Sequence, residues 1–501
     1  MNPIEVVKQV DSFLTTHASG WIREPELTEF LNQKCSLVDV CRTISQVSDG
    51  ASLESLLKFL ESVVSFPTVS SELCGKSYAS FLIAALDSPS ERLRTIVVTA
   101  LSAVKSPSLP LEIDDQILFK LLTDDDTGIS VRASKIIVDW MDRQIANADL
   151  KKSFATRLVT MYKKSRKLNE TEAFRFISLF IELGKLSSDL FDFFIAEKLF
   201  DPILSQFLSS HSDLLVKLGS LTLIESLAQY EAGQRYLGQV QVLHALETEL
   251  TGPLADSTTQ ISLLMSIASI LPFVPQSTEV KQILGPKSDF TQLVFRFIIS
   301  ANNAERMCAM KVFGLLARAA DKSEAVGSFL KLAWRPLNEV IYALSDVDVE
   351  VVNTALDSMW SMIRNWEHNP FMQSVDSQMT LLNQVQETFK RHPFPECRCL
   401  VYALTTAVLI HENLSDMALS AILSEPSPIR AALLDYHSES NYDSRRAKCD
   451  LVRVLVKREE KIVLRKFFNK EQVENFIDFA EKGLEWVPVS KAKDEMETEA
   501  L

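Results

Sequence analysis

A two-helix unit that recurs along the chain constrains the fold more than any other feature. At Ala85-Leu86-Asp87-Ser88-Pro89-Ser90-Glu91-Arg92-Leu93-Arg94 an apolar helix ends, Asp-Ser-Pro turns the backbone, and a second helix begins. Leu93, Ile96, Val97, Ala100, Leu101 and Val104 then recur three and four residues apart, the period of an amphipathic helix. Proline beside the turn stops the first helix and pre-sets the backbone of the second. The unit returns at Leu121-Leu122-Thr123-Asp124-Asp125-Asp126, with Val131-Arg132 matching Leu93-Arg94 at a distance of 38 residues. Fainter echoes lie near Phe174-Arg175, Val216-Lys217, Ile261, Glu305-Arg306, Asp348-Val349, Arg398 and Lys448.

Anchors spaced 38 to 50 residues apart fall in the range of HEAT and armadillo repeats. Each two-helix unit leaves one apolar face bare, and stacking its neighbours covers that face. The expectation is therefore an all-α, armadillo/HEAT-like solenoid, continuous over residues 1–489. Residues 490–501 are polar, charged and without an apolar period, and are expected to form a disordered acidic tail. Composition agrees with helices: only 13 of 501 residues are glycine, too few for a chain built on hairpins.

Charge narrows the partners. The net charge of −14 argues against a nucleic-acid backbone as main partner, because that binding rests on Lys and Arg neutralising phosphates. The charge is blocky, with −8 over residues 1–130, +5 over 131–190 and −11 beyond. Such blocks either steer a partner of complementary potential or form a solvated surface without a specific role. Within the positive block, Lys151, Lys152, Arg157, Lys163, Lys164, Arg166 and Lys167 have no interleaved aromatic beyond Tyr162. A solvated helix face is the favoured reading of that stretch. No signal-peptide core occupies residues 1–20 and no run of about 18 apolar residues occurs, so the expectation is an intracellular, membrane-free protein of the cytoplasm, with the nucleus also open to it.

Chemistry-bearing patterns are missing. Cys35, Cys41, Cys74, Cys308, Cys397, Cys399 and Cys449 contain no CxxC pair and read as reduced, mostly buried thiols. His17, His211, His244, His368, His392, His411 and His437 show no i, i+4 pair and read as surface or cap residues. No GxGxxG, GxxxxGK[ST], HExxH or GxSxG pattern appears. Asp124-Asp125-Asp126 lacks the glycine and distal glutamate of a calcium loop, and reads as a turn whose acids favour the next helix's positive N-terminus. No catalytic, cofactor-binding or metal residue is assigned, and the chain is read as no enzyme. Phe174, Phe176, Phe180, Phe191, Phe193, Phe194 and Phe200 read as core, except that Phe193 and Phe194 cannot both face inward.

Four segments then carry a resemblance. They are Gly233-Gln234-Arg235-Tyr236-Leu237, His392-Pro393-Phe394-Pro395-Glu396-Cys397-Arg398-Cys399, Ala447-Lys448-Cys449-Asp450-Leu451-Val452 and Val487-Pro488-Val489-Ser490 with the short acidic tail behind it. In order and spacing they resemble the 26S proteasome non-ATPase regulatory subunit 5 family, and the resemblance is strongest from about Leu227 onward. It implies a chaperone of regulatory-particle base assembly. Such a chaperone holds the C-terminal domain of proteasomal ATPase regulatory subunit 7, paired with regulatory subunit 4, and blocks premature docking on the core particle. It also implies a monomer when free, and no cofactor. The resemblance carries no individual partner-binding residue over to this chain. The alternative is a generic HEAT/armadillo scaffold or transport adaptor, but Trp140, Trp334, Trp360 and Trp366 make no ladder of the kind transport receptors present.

Overall fold

Helix starts are written locally into this chain. Asn2, Ser36, Asp114, Asn169, Asp256, Ser288, Asn302, Asp348, Ser374, Ser415, Ser427 and Asn469 each accept a hydrogen bond from a backbone N–H of the helix they open. Pro3, Pro25, Pro67, Pro395 and Pro428 stand in first turns, where their missing N–H costs nothing. In the computed structural model, residues 1–17, 22–47, 50–103, 114–143, 148–165, 168–208, 213–252, 255–273, 278–457, 461–484 and 486 are described. Among them every regular element is helical. The predicted tail, residues 490–501, lies outside the described residues.

Two compact units divide the chain, Met1–Leu223 and Ile224–Leu501. In the second unit, the long helices Ser257–Ile270, Asn303–Ala317, Val349–Asn365, Pro395–Ile410 and Tyr442–Lys457 pack side by side in that order, and Lys470–Lys482 packs on the last. The first five begin 46, 46, 46 and 47 residues apart. Behind them runs a second row, Val242–Leu250, Asp289–Ile298, Trp334–Ala343, Val375–Arg391 and Pro428–Leu434, each packed on the next. This is the expected all-α helical repeat, two layers deep, with its apolar core between the rows. In the first unit Gly50–Val63, Glu91–Ala103, Thr127–Arg143 and Glu170–Leu186 form the equivalent row, starting 41, 36 and 43 residues apart.

Close packing shows at two glycines. A Cβ on Gly314 would stand 3.2 Å from Ser358 Cα, and Ser361 Oγ donates to the Gly314 carbonyl oxygen at 2.6 Å across the same helix crossing. A Cβ on Gly233 would fall 2.0 Å from the Leu227 carbonyl oxygen, so the turn into Glu231–Gln239 closes only over a glycine. The connection after Asn365 is tight. Residues Pro370–Met372 form a 3₁₀ turn capped by Asn369, with Trp366, Phe371 and Met372 buried.

Candidate partner-binding surface

The repeat turns come first, because they set how one long helix sits on the next. Asp124 Oδ1 accepts the Asp126 N–H at 3.1 Å, and Asp126 Oδ1 accepts the Ile129 N–H at 2.8 Å. Asp346 and Asp348 repeat the device, accepting from the Asp348 N–H and the Glu350 N–H at 2.9 Å each. The middle residue of each Asp-x-Asp turn, Asp125 or Val347, is exposed. The first acid of each turn also meets an arginine from the first turn of the preceding long helix. Arg94 donates to Asp124 from Nε at 2.7 Å and Nη2 at 3.0 Å, and Arg306 Nη2 donates to Asp346 at 2.6 Å. Arg398 does the same to Glu439 at 2.7 Å and stacks on the Phe389 ring at 4.3 Å. The triple aspartate is thus turn and ladder, as its sequence context suggested. Among the described residues no cluster of three His, Cys, Asp or Glu is placed to hold a metal ion.

Repeat matching and ladder do not coincide everywhere. Arg132 matches Arg94 in sequence, yet Arg175 makes the contact across the next step, donating to the Asp124 carbonyl oxygen and to Thr127 Oγ1. The basic stretch is partly neutralised, with Lys152 and Lys164 left exposed. Arg157 pairs with Asp115, Lys163 pairs with Glu197, and Lys151 is buried. Arg166 and Lys167 lie outside the described residues. Phe194 is buried and Phe193 half-buried, as adjacent positions on one helix require.

Histidines and thiols fall where the sequence places them. His17, His392 and His411 are helix C-caps, His244, His368 and His437 are exposed, and His211 lies outside the described residues. All seven cysteines are free, six buried and Cys399 half-buried. Burial pushes the Cys41 and Cys308 thiols up to about 12. Lys448 is 1% exposed, with its amine donating to Ser438 Oγ at 3.1 Å and to the Asp435 carbonyl oxygen. Burial pushes it down to about 8, against the pull of Glu439 and Asp435. No helix of the described residues is long and apolar enough to cross a membrane.

The candidate face for a partner is the side of the long-helix row turned away from the second row. On Val349–Asn365, at the middle of that row in the second unit, Asn353, Asp357, Trp360 and Arg364 share one stripe. The Arg364 guanidinium lies over the half-exposed Trp360 ring at 5.1 Å, while Asn353 Oδ1 is buried without a partner. A half-exposed tryptophan beside an arginine and an unmet acceptor is the composition of an interface anchor. On the two neighbouring long helices, Lys311, Glu396 and Ile410 are exposed, as is Arg318 at the end of the first. Sequence reasoning weighed Trp360 only as a rung of a tryptophan ladder. The spacing 353, 357, 360, 364 could have singled it out, since polar residues at helical period on a buried helix mark its outward stripe.

The family model described as the proteasome non-ATPase 26S subunit matches residues 38–481. The chain is similar to the Homo sapiens 26S proteasome non-ATPase regulatory subunit 5, at 21% identity over 341 residues covering 66% of this chain and 65% of the relative. It is 20% identical to the Mus musculus protein of that name over 280 residues, covering 54% of this chain and 55% of the relative. The matches thus span less than two thirds of the relatives' own length. Solved structures similar to it include Kap95p in its complex with RanGDP, with a TM-score of 0.49 at 10% identity, covering 93% of this chain and 62% of that one. Kap121p gives a TM-score of 0.40 at 15% identity, covering 95% and 52%. Likenesses so distant carry no functional argument.

Proposed function

Because the chain belongs to the proteasome non-ATPase 26S subunit family, we propose that it is a chaperone for assembly of the proteasome's regulatory-particle base. The observation that carries this reading is the extent of the family match, residues 38–481, which includes every long helix of both rows. In the proposal the outward face of the long helices grips the C-terminal domain of proteasomal ATPase regulatory subunit 7, paired with regulatory subunit 4. Trp360 and Arg364 are its central anchors.

The mechanism is occlusion. A chaperone seated on an ATPase subunit occupies the volume that the core particle would need, so docking waits until later contacts displace it. Binding alone accomplishes this, so the reading makes the chain non-catalytic, acting as a monomer in the cytoplasm and nucleus. Mixed charge and a few large anchors suit a grip that must later be released, because such interfaces are more polar and weaker than permanent ones.

Affinity purification of the tagged chain from cells tests the reading. Proteasomal ATPase subunits 7 and 4 should be recovered without 20S core subunits. Recovery of no ATPase, or of mature 26S particles in stoichiometric amount, would overturn it, the latter by making the chain a permanent scaffold.

A further inference from the structure

In the first unit, the Thr127–Arg143 and Glu170–Leu186 helices leave a groove between them, lined among others by Ser130, Val131, Lys135, Val138, Leu179 and Glu182, with about 300 Å³ of open space. Its floor is apolar, and Val131 on it is 58% exposed. Ser130 is 1% exposed, and its hydroxyl finds no partner. Polar groups buried that deeply are normally hydrogen-bonded.

Several cations of the positive block are already committed. Arg157, Lys163 and Lys185 are tied to Asp115, Glu197 and Glu182, and Arg175 is spent on the Asp124 carbonyl oxygen and Thr127. Lys135 and Arg132 are exposed, one turn apart, and make no ion pair among the described residues. Glu182, the groove's one acid, is neutralised by Lys185 at 2.6 Å. An apolar floor with the uncommitted Lys135 and an unmet hydroxyl on its wall, and with exposed Arg132 one turn from Lys135 at its edge, selects an occupant that is apolar and bears a carboxylate. Residues 130–138 span about 12 Å, two helical turns, and a groove between adjacent helices receives the side-chain ridge of a third. Two cations without a stacking aromatic are too few for a nucleic-acid strand.

We propose that this groove docks a helix of a partner protein carrying an apolar anchor with a carboxylate one turn away. The apolar side chain packs on Val131, Val138 and Leu179, and the carboxylate meets Lys135 and Arg132. This inference stands apart from the assembly reading, since it rests on other residues, all in the first unit, and needs no ATPase.

The test uses the full chain and two stapled, fluorescein-labelled amphipathic helices, identical but for Glu or Lys flanking paired leucines. Anisotropy should show the acidic helix binding about tenfold or more tighter than the basic one, with the difference shrinking as salt rises. Lys135→Glu with Arg132→Glu should reverse that preference, and Val131→Asp should weaken both helices about tenfold while leaving the helical circular dichroism and melting temperature unchanged. Equal binding of the two helices, a preference that survives the double charge reversal, or binding of neither at about 0.1 mM overturns the proposal.

Discussion

Asp124 shows how a single side chain acts in this fold. Its carboxylate is nearly fully buried, receives two hydrogen bonds from Arg94 and holds the backbone of its own turn. Asp124→Ala leaves the Arg94 guanidinium, itself 11% exposed, without the carboxylate it hydrogen-bonds, and breaking a buried pair from one side costs about 3 kcal/mol. Asp125→Ala, one residue along and exposed, should change stability by no more than about 0.5 kcal/mol. Urea unfolding of the two variants should show that contrast, and equal effects would refute the ladder. The same contrast holds for glycine. Gly238→Ala meets nothing within 4 Å and should stabilise by up to about 1 kcal/mol. Gly233→Ala drives a methyl into the Leu227 carbonyl oxygen and should cost about 2 kcal/mol by thermal denaturation. Gly233 stood in a segment picked out by resemblance alone; its steric reason is invisible in sequence, because the clash is with backbone six residues earlier.

At the scale of elements, the helices were the legible part. Caps, prolines and the three-and-four spacing are local signals, and Glu91–Ala103 forms where Leu93–Val104 predicted it, with Ile96, Val97, Ala100 and Leu101 buried. What sequence blurred was the regular step of the second unit. Its helices begin at nearly constant spacing, yet the ladder uses Arg–Asp in one step and Arg–Glu in another, so residue identity drifts while geometry persists. Lys448 on Tyr442–Lys457 gives a pH test of one such element. Its folded value is pushed down to about 8 from an ordinary value near 10.4. Between those values the unfolded chain holds more protons than the folded one, so this group makes stability rise with pH across that window, by up to about 1.4 kcal/mol per pH unit. Below about pH 8 the cost of burying the charge is fully present. The stability of wild type relative to Lys448→Met should therefore climb from pH 8 to 10, with the thiol contributions cancelling in the difference. A flat difference would show that the amine reaches solvent.

For the whole molecule, periodicity establishes a helical repeat and the family match establishes which one, while neither reveals the candidate stripe. That stripe exists only once five helices are aligned, because Trp360 and Arg364 are ordinary helix residues until their neighbours bury everything around them. The proposal that follows is a temporary obstruction. Its most direct measurement is docking of a purified ATPase 7–4 pair onto core particles, followed by sedimentation with and without this chain. The account predicts that the chain binds the pair and lowers the fraction docked, and that Trp360→Ala with Arg364→Ala restores docking. A stable complex containing chain, ATPase pair and core particle together would contradict it.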